Sequence, residues 1–562
     1  MEAFNREGMN ELRELLTKYA LQNAIFYEGK ANPGAVMGKV MAAEPELKKK
    51  AKEVGALVRE IVSEINKLNL ETQKKMLEDV APELMERKKK EKSHELPELK
   101  NAEKGVVMRM APYPSGPLHI GNARMAILND EYVKRYGGKL FLVYDDTIGS
   151  SEKLPDTEAY GLIAEGLKWM GVNYDDAFYK SDRLELFYEW AEKLIKLDGA
   201  YVCECPAEEM RKNREQGIEC EHRHRSVEEN LAKWKEMLAG KYDEGKAILR
   251  IKTDMKHPNP AFRDRVLFRI SKRDHPRVGD KYHVWPLLEF SWAVDDHVLG
   301  MTHVLRGKDL VMEDLMERHL WKTFGIDGPE FIHYGMLRIK EAKLSKSKSS
   351  KEVKSGEFTG WDDPRTWSLQ SLKRRGIKPE AIRSFILSFG LSQNDIEVPA
   401  ENLYSENRKL LDADTPRRMF VPDPVKIKVK NPPDLKEVEL TNHPKEDLGT
   451  RKITVADEIY ISKEDFEKLE GKEIRLKDLF NVILDEESEF TDIPNKDIPR
   501  IQWVSEPVDT EVVMVDGSVK KGFGERSLLD FKPDDMVQFE RFGFVRIDSV
   551  NGGKVVAYYA HP

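Results

Sequence analysis

The chain has 562 residues, a formal net charge of −8, 34% charged residues and 40% hydrophobic residues. This length predicts three or four domains, and the composition predicts a soluble protein with several hydrophobic cores. The sequence has no run of 18 apolar residues and no basic-then-apolar segment at its start, so we expect no membrane span, no signal peptide and a cytoplasmic location.

Helical periodicity with scattered charge over residues 1–100 predicts a helical N-terminal region. Over 101–200, short apolar runs alternate with amphipathic segments, which predicts the first half of a doubly wound, Rossmann-type α/β domain. Residues 201–285 interrupt this pattern as an inserted α/β domain, and the pattern resumes over 286–340.

The remaining residues change character twice. Residues 341–414 open with a lysine- and serine-rich loop and continue with helical periodicity. Residues 415–562 alternate apolar and polar residues between glycine turns, which predicts antiparallel β-barrels. The expected fold is therefore multidomain. The net negative charge argues only weakly against nucleic-acid binding, because positive charge clusters locally at 343–354, 372–378 and 425–430.

The segment "RMAPYPSGPLHIGN" (109–122) stands between a predicted strand and a predicted helix. A strand, a turn rich in glycine and proline, and a helix start together form an anion site, because free amides and the positive end of the helix dipole face one point. The alternative is an ordinary tight turn in which His119 caps the helix. A second segment, "KLSKS" (343–347), is weak evidence alone because charge runs are usually solvated surface.

Taken together, the two segments resemble the two nucleotide-binding motifs of class I aminoacyl-tRNA synthetases. Further matches are "YDDT" (144–147), "SDR" (181–183), "VDDHVLGMTHVLRGKD" (294–309) and "SENRKLLD" (405–412). This set resembles the archaeal type of glutamyl-tRNA synthetases over residues 100–562. The resemblance implies ATP-dependent ligation of L-glutamate to tRNA(Glu), through a glutamyl-adenylate.

The resemblance also implies an ATP site. Catalysis would rest on positioning and charge stabilisation by His119, Lys343 and Lys346, with Mg²⁺ arriving on ATP. The family's first motif usually ends in histidine where this chain has Asn122, which cannot carry charge. The implied ATP-binding residues are Pro114, Ser115, Gly116, His119, Gly121, Asn122, Lys343, Ser345, Lys346 and Ser347.

For the amino acid, the resemblance implies that Arg109 and Arg306 hold the glutamate side chain and that Asp145 holds the α-ammonium group. A buried arginine left unpaired against a neutral amide would be penalised, which favours glutamate over glutamine. The alternative for Asp145 is a capping role at the end of a strand. Relatives commonly have a tyrosine where this chain has Leu288, so another group must take that hydrogen-bonding role.

All three cysteines lie in one segment, as Cys203-x-Cys205 and, fourteen residues later, Cys220-x-His222. Three thiolates and an imidazole form a tetrahedral zinc set, which predicts a structural Zn²⁺ site. Several glutamyl enzymes have a similar site in the inserted acceptor-binding domain. His224 is the rival fourth ligand, and the alternative is three free thiols in a reducing compartment.

We expect a monomer that binds L-glutamate and tRNA(Glu), with tRNA(Gln) open as a second substrate. The barrels would bind the anticodon through aromatic and basic residues in "RRMFVPDPVKIKVK" (417–430) and "QFERFGFVRID" (538–548), although alternating aromatics are as typical of a core. The alternatives are a glutaminyl-tRNA synthetase, a non-catalytic tRNA-binding paralogue, and a nucleotidyltransferase of the same superfamily that makes a cofactor.

Overall fold

The computed structural model describes residues 6–27, 29–44, 47, 50–85, 95–149, 154–342 and 346–562. It divides into two compact units, Met1–Ser93 and His94–Pro562. The first unit is helical, and Asn32 and Asn69 cap its second and fourth helices. Gln73, fully buried, donates to the backbone carbonyls of Gly29, Ile65 and Leu68 and joins the helices. The helices are α1 (Arg6–Phe26), α2 (Pro33–Ala43), α3 (Ala51–Ile65) and α4 (Leu70–Val80).

The second unit begins with a parallel three-stranded sheet in the order β1-β2-β3. Helices follow each strand, as the alternation of apolar runs predicts. Glycine at 137, in the left-handed conformation, ends the helix after β1 and returns the chain to the sheet. The elements are β1 (Val107–Met110), α5 (Ile120–Tyr136), β2 (Lys139–Tyr144), α6 (Thr157–Trp169), β3 (Asp176–Tyr179) and α7 (Leu184–Lys196).

The inserted domain is a four-stranded antiparallel sheet in the order β4-β5-β6-β7, with two helices. Ser226 and Glu229 form a reciprocal cap at the start of its second helix. The elements are β4 (Ala200–Cys203), α8 (Ala207–Gln216), α9 (Val227–Leu238), β5 (Ile248–Ile251), β6 (Val266–Ile270) and β7 (Val284–Pro286).

The α/β pattern then resumes with a parallel pair of strands. Thr302 and Val107 exchange hydrogen bonds, since the Thr302 amide donates to the Val107 carbonyl at 3.0 Å and the Val107 amide donates to Thr302 Oγ1 at 2.8 Å. The new strands therefore lie beside β1, although among the described residues they pair as strands only with each other. The elements are α10 (Leu288–Val298), β8 (His303–Gly307), α11 (Val311–Phe324), β9 (Glu330–Tyr334) and β10 (Leu337–Ile339).

Residues 346–411 are mainly helical, as predicted, with one short strand that pairs in parallel with β10. That strand was not predicted, because three residues are too few for a period-two pattern to emerge. The elements are α12 (Lys346–Lys354), α13 (Leu369–Arg374), α14 (Pro379–Leu387), β11 (Ile396–Val398) and α15 (Glu401–Leu411).

Two mixed sheets make up the C-terminal region, one of seven strands (β12-β24-β25-β26-β22-β23-β13) and one of six (β17-β14-β20-β19-β18-β21). Most of their strand pairs are antiparallel, as predicted, and four pairs are parallel: β12/β24, β14/β20, β18/β21 and β22/β26. Alternation of apolar residues reports which face is buried and carries no information on strand direction.

The strands of this region are β12 (Arg417–Arg418), β13 (Phe420–Pro422), β14 (Pro424–Lys430), β15 (Glu437–Thr441), β16 (Thr450–Thr454), β17 (Glu458–Ser462), β18 (Glu473–Leu476), β19 (Asn481–Ile483), β20 (Glu487–Asp492), β21 (Arg500–Ile501), β22 (Val508–Val513), β23 (Val519–Gly524), β24 (Met536–Phe539), β25 (Gly543–Asn551) and β26 (Lys554–His561), with one helix, α16 (Lys463–Leu469). The β15–β16 hairpin pairs separately.

Strand β26 fastens the seven-stranded sheet to the helices before it. Arg375, fully buried after α13, donates to the carbonyls of Ala560 (2.7 Å) and Tyr559 (3.2 Å). Asn407 of α15 lies 3.0 Å from His561 through its amide nitrogen. Ala560 also belongs to the same buried cluster as β1 and α5. The C-terminal sheet therefore shares a core with the first α/β sheet.

Across the described residues, no helix is both long and apolar enough to cross a membrane.

Candidate active site and metal centre

The first motif forms the turn between β1 and the start of α5. His119 is the N-cap of α5: its Nδ1 accepts from the Gly121 amide at 3.1 Å, and Asn122 Oδ1 accepts from the His119 amide at 3.3 Å. This reciprocal cap fixes the imidazole against the helix start. It also gives the unexpected Asn122 a role that needs hydrogen bonding and no charge. Pro114 accepts from the Asp156 amide at 2.8 Å, which ties the turn to the start of α6.

Gly116 lies directly under the indole of Trp361. A Cβ atom at position 116 would come within 2.7 Å of that ring, so the close approach that glycine permits is made here by Trp361. The neighbouring Ser115 is half-buried. A ring at this place bounds one side of the turn that is predicted to hold the nucleotide.

Lys343 and Ser345 of the second motif lie outside the described residues. Lys346 and Ser347 are the first residues of α12. The chain after α12 reaches the first motif, because the Leu369 amide donates to the Leu118 carbonyl at 2.8 Å. Residues downstream of one motif thus contact the backbone of the other.

The three residues predicted to bind glutamate lie near one another, and each has an ionic partner. Arg109 on β1 pairs through two hydrogen bonds with Asp296, one of them 2.8 Å long. Asp145, just after β2, lies 3.0 Å from the Nζ atom of Lys180. All four side chains are buried. The positions are set by the carboxyl ends of parallel strands, which meet at one edge of the sheet.

Arg306 on β8 is held most tightly of the three. Its Nε atom donates to Asp314 at 2.9 Å and its Nη1 atom to Glu317 at 2.8 Å. Phe331 lies against the guanidinium at 4.5 Å. Burial raises the pKa of Glu317 to about 8, against the lowering effect of Arg306. His333 Nε2 lies 2.7 Å from the other oxygen of Asp314.

These pairs correct the sequence argument for glutamate. That argument treated Arg306 as an unpaired cation, but the fold supplies two carboxylates because a buried guanidinium without an anion is too costly.

The centre of this set is Trp292 on α10. The charged groups of Arg109, Lys180 and Arg306 lie 4.9, 5.0 and 5.0 Å from its ring centroid. Trp292 follows Leu288 by four residues, one helical turn, so both project from the same side of α10. We name Arg109, Lys180, Arg306 and Trp292 the cation cluster.

The sequence-predicted metal ligands converge. The ligand atoms of Cys203, Cys205, Cys220 and His222 all lie within 4.8 Å of one another. The Cys203 and Cys220 sulfurs are 3.9 Å apart, and His222 Nδ1 lies 3.3 Å from the Cys205 sulfur. Sulfurs around a tetrahedral zinc would be about 3.8 Å apart for Zn–S bonds of about 2.3 Å, so the donor set fits that ion.

The two candidate histidines differ in their burial and in their neighbours. His222 is half-buried beside the thiols, whereas His224 is 67% exposed and pairs with Glu219 at 3.4 Å. Hydrogen bonding from Cys203 lowers the pKa of the Cys220 thiol, and the same hydrogen bond, with burial, raises the pKa of the Cys203 thiol. Burial also raises the pKa of the Cys205 thiol to about 11. The thiols would lose their protons on binding a metal.

The predicted anticodon-binding aromatics are mostly core residues. Phe420, Phe539 and Phe544 are buried, and the first two stack at 4.9 Å. Lysines alternate along the exposed face of β14, at Lys426, Lys428 and Lys430. The basic part of the prediction thus lies on the surface and most of the aromatic part does not.

Comparison with known proteins identifies the family. The catalytic-domain model of the class I tRNA synthetases (E and Q) matches residues 105–413, and two anticodon-binding-domain models of that class match 415–502 and 500–548. The chain belongs to this synthetase family. Glutamate–tRNA ligases of Pyrococcus furiosus and Methanocaldococcus jannaschii are 46% and 45% identical to it, over 98% of this chain and 100% of each relative. A crystal structure of glutamate-tRNA synthetase from Elizabethkingia anophelis is 22% identical, covers 55% of this chain and 70% of its own, and has a TM-score of 0.40.

For this class I synthetase, sequence reasoning missed the residues that hold the predicted ligand groups. The segment "VDDHVLG" marked the right helix, yet its pattern does not show that Asp296 pairs with Arg109. Lys180 lies one residue before the recognised "SDR", a signal that was available. Asp314 and Glu317 carry no motif and are found only by packing.

Proposed function

We propose that this protein activates L-glutamate with ATP and transfers it to tRNA(Glu). The full-length likeness to archaeal glutamate–tRNA ligases carries the proposal. It is supported by the first motif at the start of α5 and by the cluster of buried charges at the strand ends.

The first step forms an anhydride without a nucleophilic side chain. An α-carboxylate oxygen of glutamate attacks the α-phosphorus of ATP; the new O–P bond forms as the bond to the bridging oxygen breaks, and pyrophosphate leaves with that electron pair. The protein contributes by holding the reactants in line and by stabilising the charge that develops. Mg²⁺ would arrive on the ATP phosphates.

The first motif would bind ATP with its backbone and with His119, whose ring is already held by the α5 cap. Lys346, with Lys343, would neutralise the β- and γ-phosphates as charge builds in the transition state. Pro114, Ser115, Gly116, Gly121, Asn122, Ser345 and Ser347 would line the nucleotide.

Asp145 would hold the substrate ammonium in competition with Lys180, and the outer N–H groups of Arg109 and Arg306 would receive the side-chain carboxylate. In the second step a hydroxyl of the tRNA 3′-terminal nucleotide attacks the adenylate carbonyl. The ester bond forms, AMP leaves, and the hydroxyl proton is released.

The cysteine cluster would hold a structural Zn²⁺ through Cys203, Cys205, Cys220 and His222. Such an ion would join the end of β4 to the turn after α8 and supply no chemistry to the reaction. The exposed lysines of β14 would contact the tRNA backbone, and tRNA(Gln) is a second substrate to be tested.

The test is pyrophosphate exchange with glutamate, glutamine and aspartate, each with and without tRNA. The resemblance to glutamyl enzymes predicts exchange with glutamate only, and only when tRNA is bound. Exchange with glutamine instead would show that the protein is a glutaminyl-tRNA synthetase. Tight tRNA binding with no exchange for any amino acid would indicate a non-catalytic paralogue.

A further inference from the structure

Trp292 occupies an unusual position for a buried aromatic residue. Its side chain is 4% exposed, and three cations from three different elements lie 4.9–5.0 Å from its ring. In the part of the chain that the structure describes, no other ring has three cationic groups around it. One cation over an aromatic ring is common, and three buried cations that share one ring require an explanation.

The anionic partners link these cations only in pairs, since Glu317 attracts both Arg109 and Arg306 and Asp145 attracts both Arg109 and Lys180. The carboxylates lie on different elements, Asp296 on α10, Asp145 after β2, and Glu317 with Asp314 on α11. Like charges in a buried site repel strongly because little water screens them. The indole ring is the neighbour that all three share, and its negative faces attract each cation.

We propose that Trp292 is a positioning residue for amino-acid selectivity: its ring holds Arg109 and Arg306 where both can bind the side-chain carboxylate of glutamate. This inference rests on the proposed function. Trp292 would compensate for the hydrogen bond that Leu288 cannot make by holding the cations in place. Without the ring, the attraction that offsets the repulsion between the buried cations would be lost, the two guanidinium groups would move apart, and the site would lose its preference for an anion.

Two substitutions separate the ring from the rest of the side chain. Trp292→Phe keeps an aromatic face and removes the indole N–H, whereas Trp292→Leu removes the face. Trp292→Leu should raise the KM for glutamate by about 10- to 100-fold and leave the KM for ATP within about threefold. Trp292→Phe should raise the glutamate KM by less than about fivefold.

A matched control is Phe290→Leu. Phe290 is a fully buried aromatic on the same helix, and within the described residues no cation lies over its ring. It packs on Phe268 with ring centroids 4.9 Å apart. This variant should lower stability as Trp292→Leu does and leave the glutamate-to-ATP ratio of KM values unchanged.

The measurement is tRNA-dependent pyrophosphate exchange with glutamate and glutamine, with urea unfolding of each variant to report its stability. A preference for glutamate over glutamine that falls at least tenfold in Trp292→Leu, and is kept in the other two variants, supports the inference. Equal changes in the two KM values, or a phenylalanine variant as impaired as the leucine variant, would overturn it. Wild-type protein that activates no glutamate would instead overturn the proposed function.

Discussion

At the scale of single residues, the pairing of Arg306 with two buried carboxylates gives that arginine two separable roles. Arg306→Ala should raise the glutamate KM far more than the ATP KM, since a desolvated charge partner is worth about 2–5 kcal/mol. It should also lower the unfolding free energy by about 3–5 kcal/mol, because Glu317 and Asp314 lose their cation. Exchange kinetics and urea unfolding measure the two effects.

A second substitution, Glu317→Gln, separates the effect of Arg306 on glutamate binding from its effect on stability. Added to Arg306→Ala, it removes a buried carboxyl that would have to take up a proton to stay neutral, because burial already raises its pKa to about 8, and it should restore part of the stability without restoring glutamate binding. If the double variant recovered the glutamate KM as well, Arg306 would be a structural residue alone.

Lys346 is expected to act on the transition state. Lys346→Ala should lower glutamate activation by about two to four orders of magnitude, as the loss of one charge-stabilising donor typically does. The affinity for tRNA should change little. Single-turnover adenylate formation, with a tRNA-binding titration alongside, measures both; near-normal turnover would remove this lysine from the mechanism.

Sequence reasoning found the residues that lie in motifs and missed the residues that pair with them. Arg109, Asp145 and Arg306 were named because the family resemblance implies them. Lys180 could have been named from its place beside "SDR". Asp296 and Glu317 could not, because an ion pair between residues 187 positions apart, such as Arg109–Asp296, depends on how helices cross the sheet. The capping role of His119 was visible as an alternative and is what the side chain does in this structure.

At the scale of elements, the cysteine cluster joins the end of β4 to a turn of 3-10 helix at Glu221–His224. Purified protein should carry about one zinc per chain, and Cys220→Ser should lose it together with thermal stability. Metal analysis and thermal unfolding provide the test. His224→Ala is the matched control, since that histidine points to Glu219, and it should keep its zinc.

Strand β26 should make stability depend on pH. Burial lowers the pKa of His561 to about 4 from an ordinary value of 6.5. Above pH 6.5 the His561 side chain is neutral in both the folded and the unfolded state. Below pH 6.5 it takes up a proton in the unfolded chain but not in the folded chain, so the free energy of unfolding falls. Between pH 7.5 and pH 5 this amounts to about 2 kcal/mol.

Urea unfolding at the two pH values, compared with His561→Gln, isolates this contribution. The glutamine variant should be less stable at pH 7.5 and lose about 2 kcal/mol less on acidification. Parallel pH profiles for the two proteins would contradict the assignment of the pH dependence to His561.

Hydrophobic periodicity predicted the positions of the elements better than it predicted the direction in which strands pair. The region 101–200, predicted from its alternation to be α/β, contains the strands β1, β2 and β3, each followed by a helix (α5, α6, α7). The four parallel pairings in the C-terminal sheets were missed because they join strands far apart in the chain, such as β12 with β24. Aromatics assigned to anticodon binding, such as Phe420 and Phe539, stack in the core, an alternative the alternation had left open.

At the scale of the whole molecule, the C-terminal sheets cannot be removed without cost to the catalytic unit. A chain ending at Asp412 would leave buried Arg375 without the carbonyls of Tyr559 and Ala560 and Asn407 without His561. Each lost hydrogen bond to a buried charge costs about 1.5–3 kcal/mol, so the melting temperature should fall by several degrees. Calorimetry of the truncated and full-length chains measures it.

Anticodon binding is therefore better tested in the full chain. Replacing the exposed Lys428 of β14 with alanine removes positive charge without touching Arg375. Weaker tRNA binding by this variant, with an unchanged melting temperature, would place the tRNA backbone on β14, and the same comparison with anticodon-substituted tRNA would show whether the anticodon lies there. A truncated chain with the same melting temperature as the full-length chain would show that the Arg375 contacts add nothing to stability.

The hydrogen bonds between Val107 and Thr302 close a loop of 195 residues, and this separation bears on the order of folding. Contacts between distant residues form slowly, because chain entropy must be lost before they contribute. The inserted sheet packs with α7, α10 and α11 in one buried cluster, whose buried residues all lie within 187–321. Forming that cluster first would bring β8 to the edge of β1 and would deliver Trp292 on its helix. The insertion would then act as the scaffold on which the two halves of the catalytic sheet find each other during refolding.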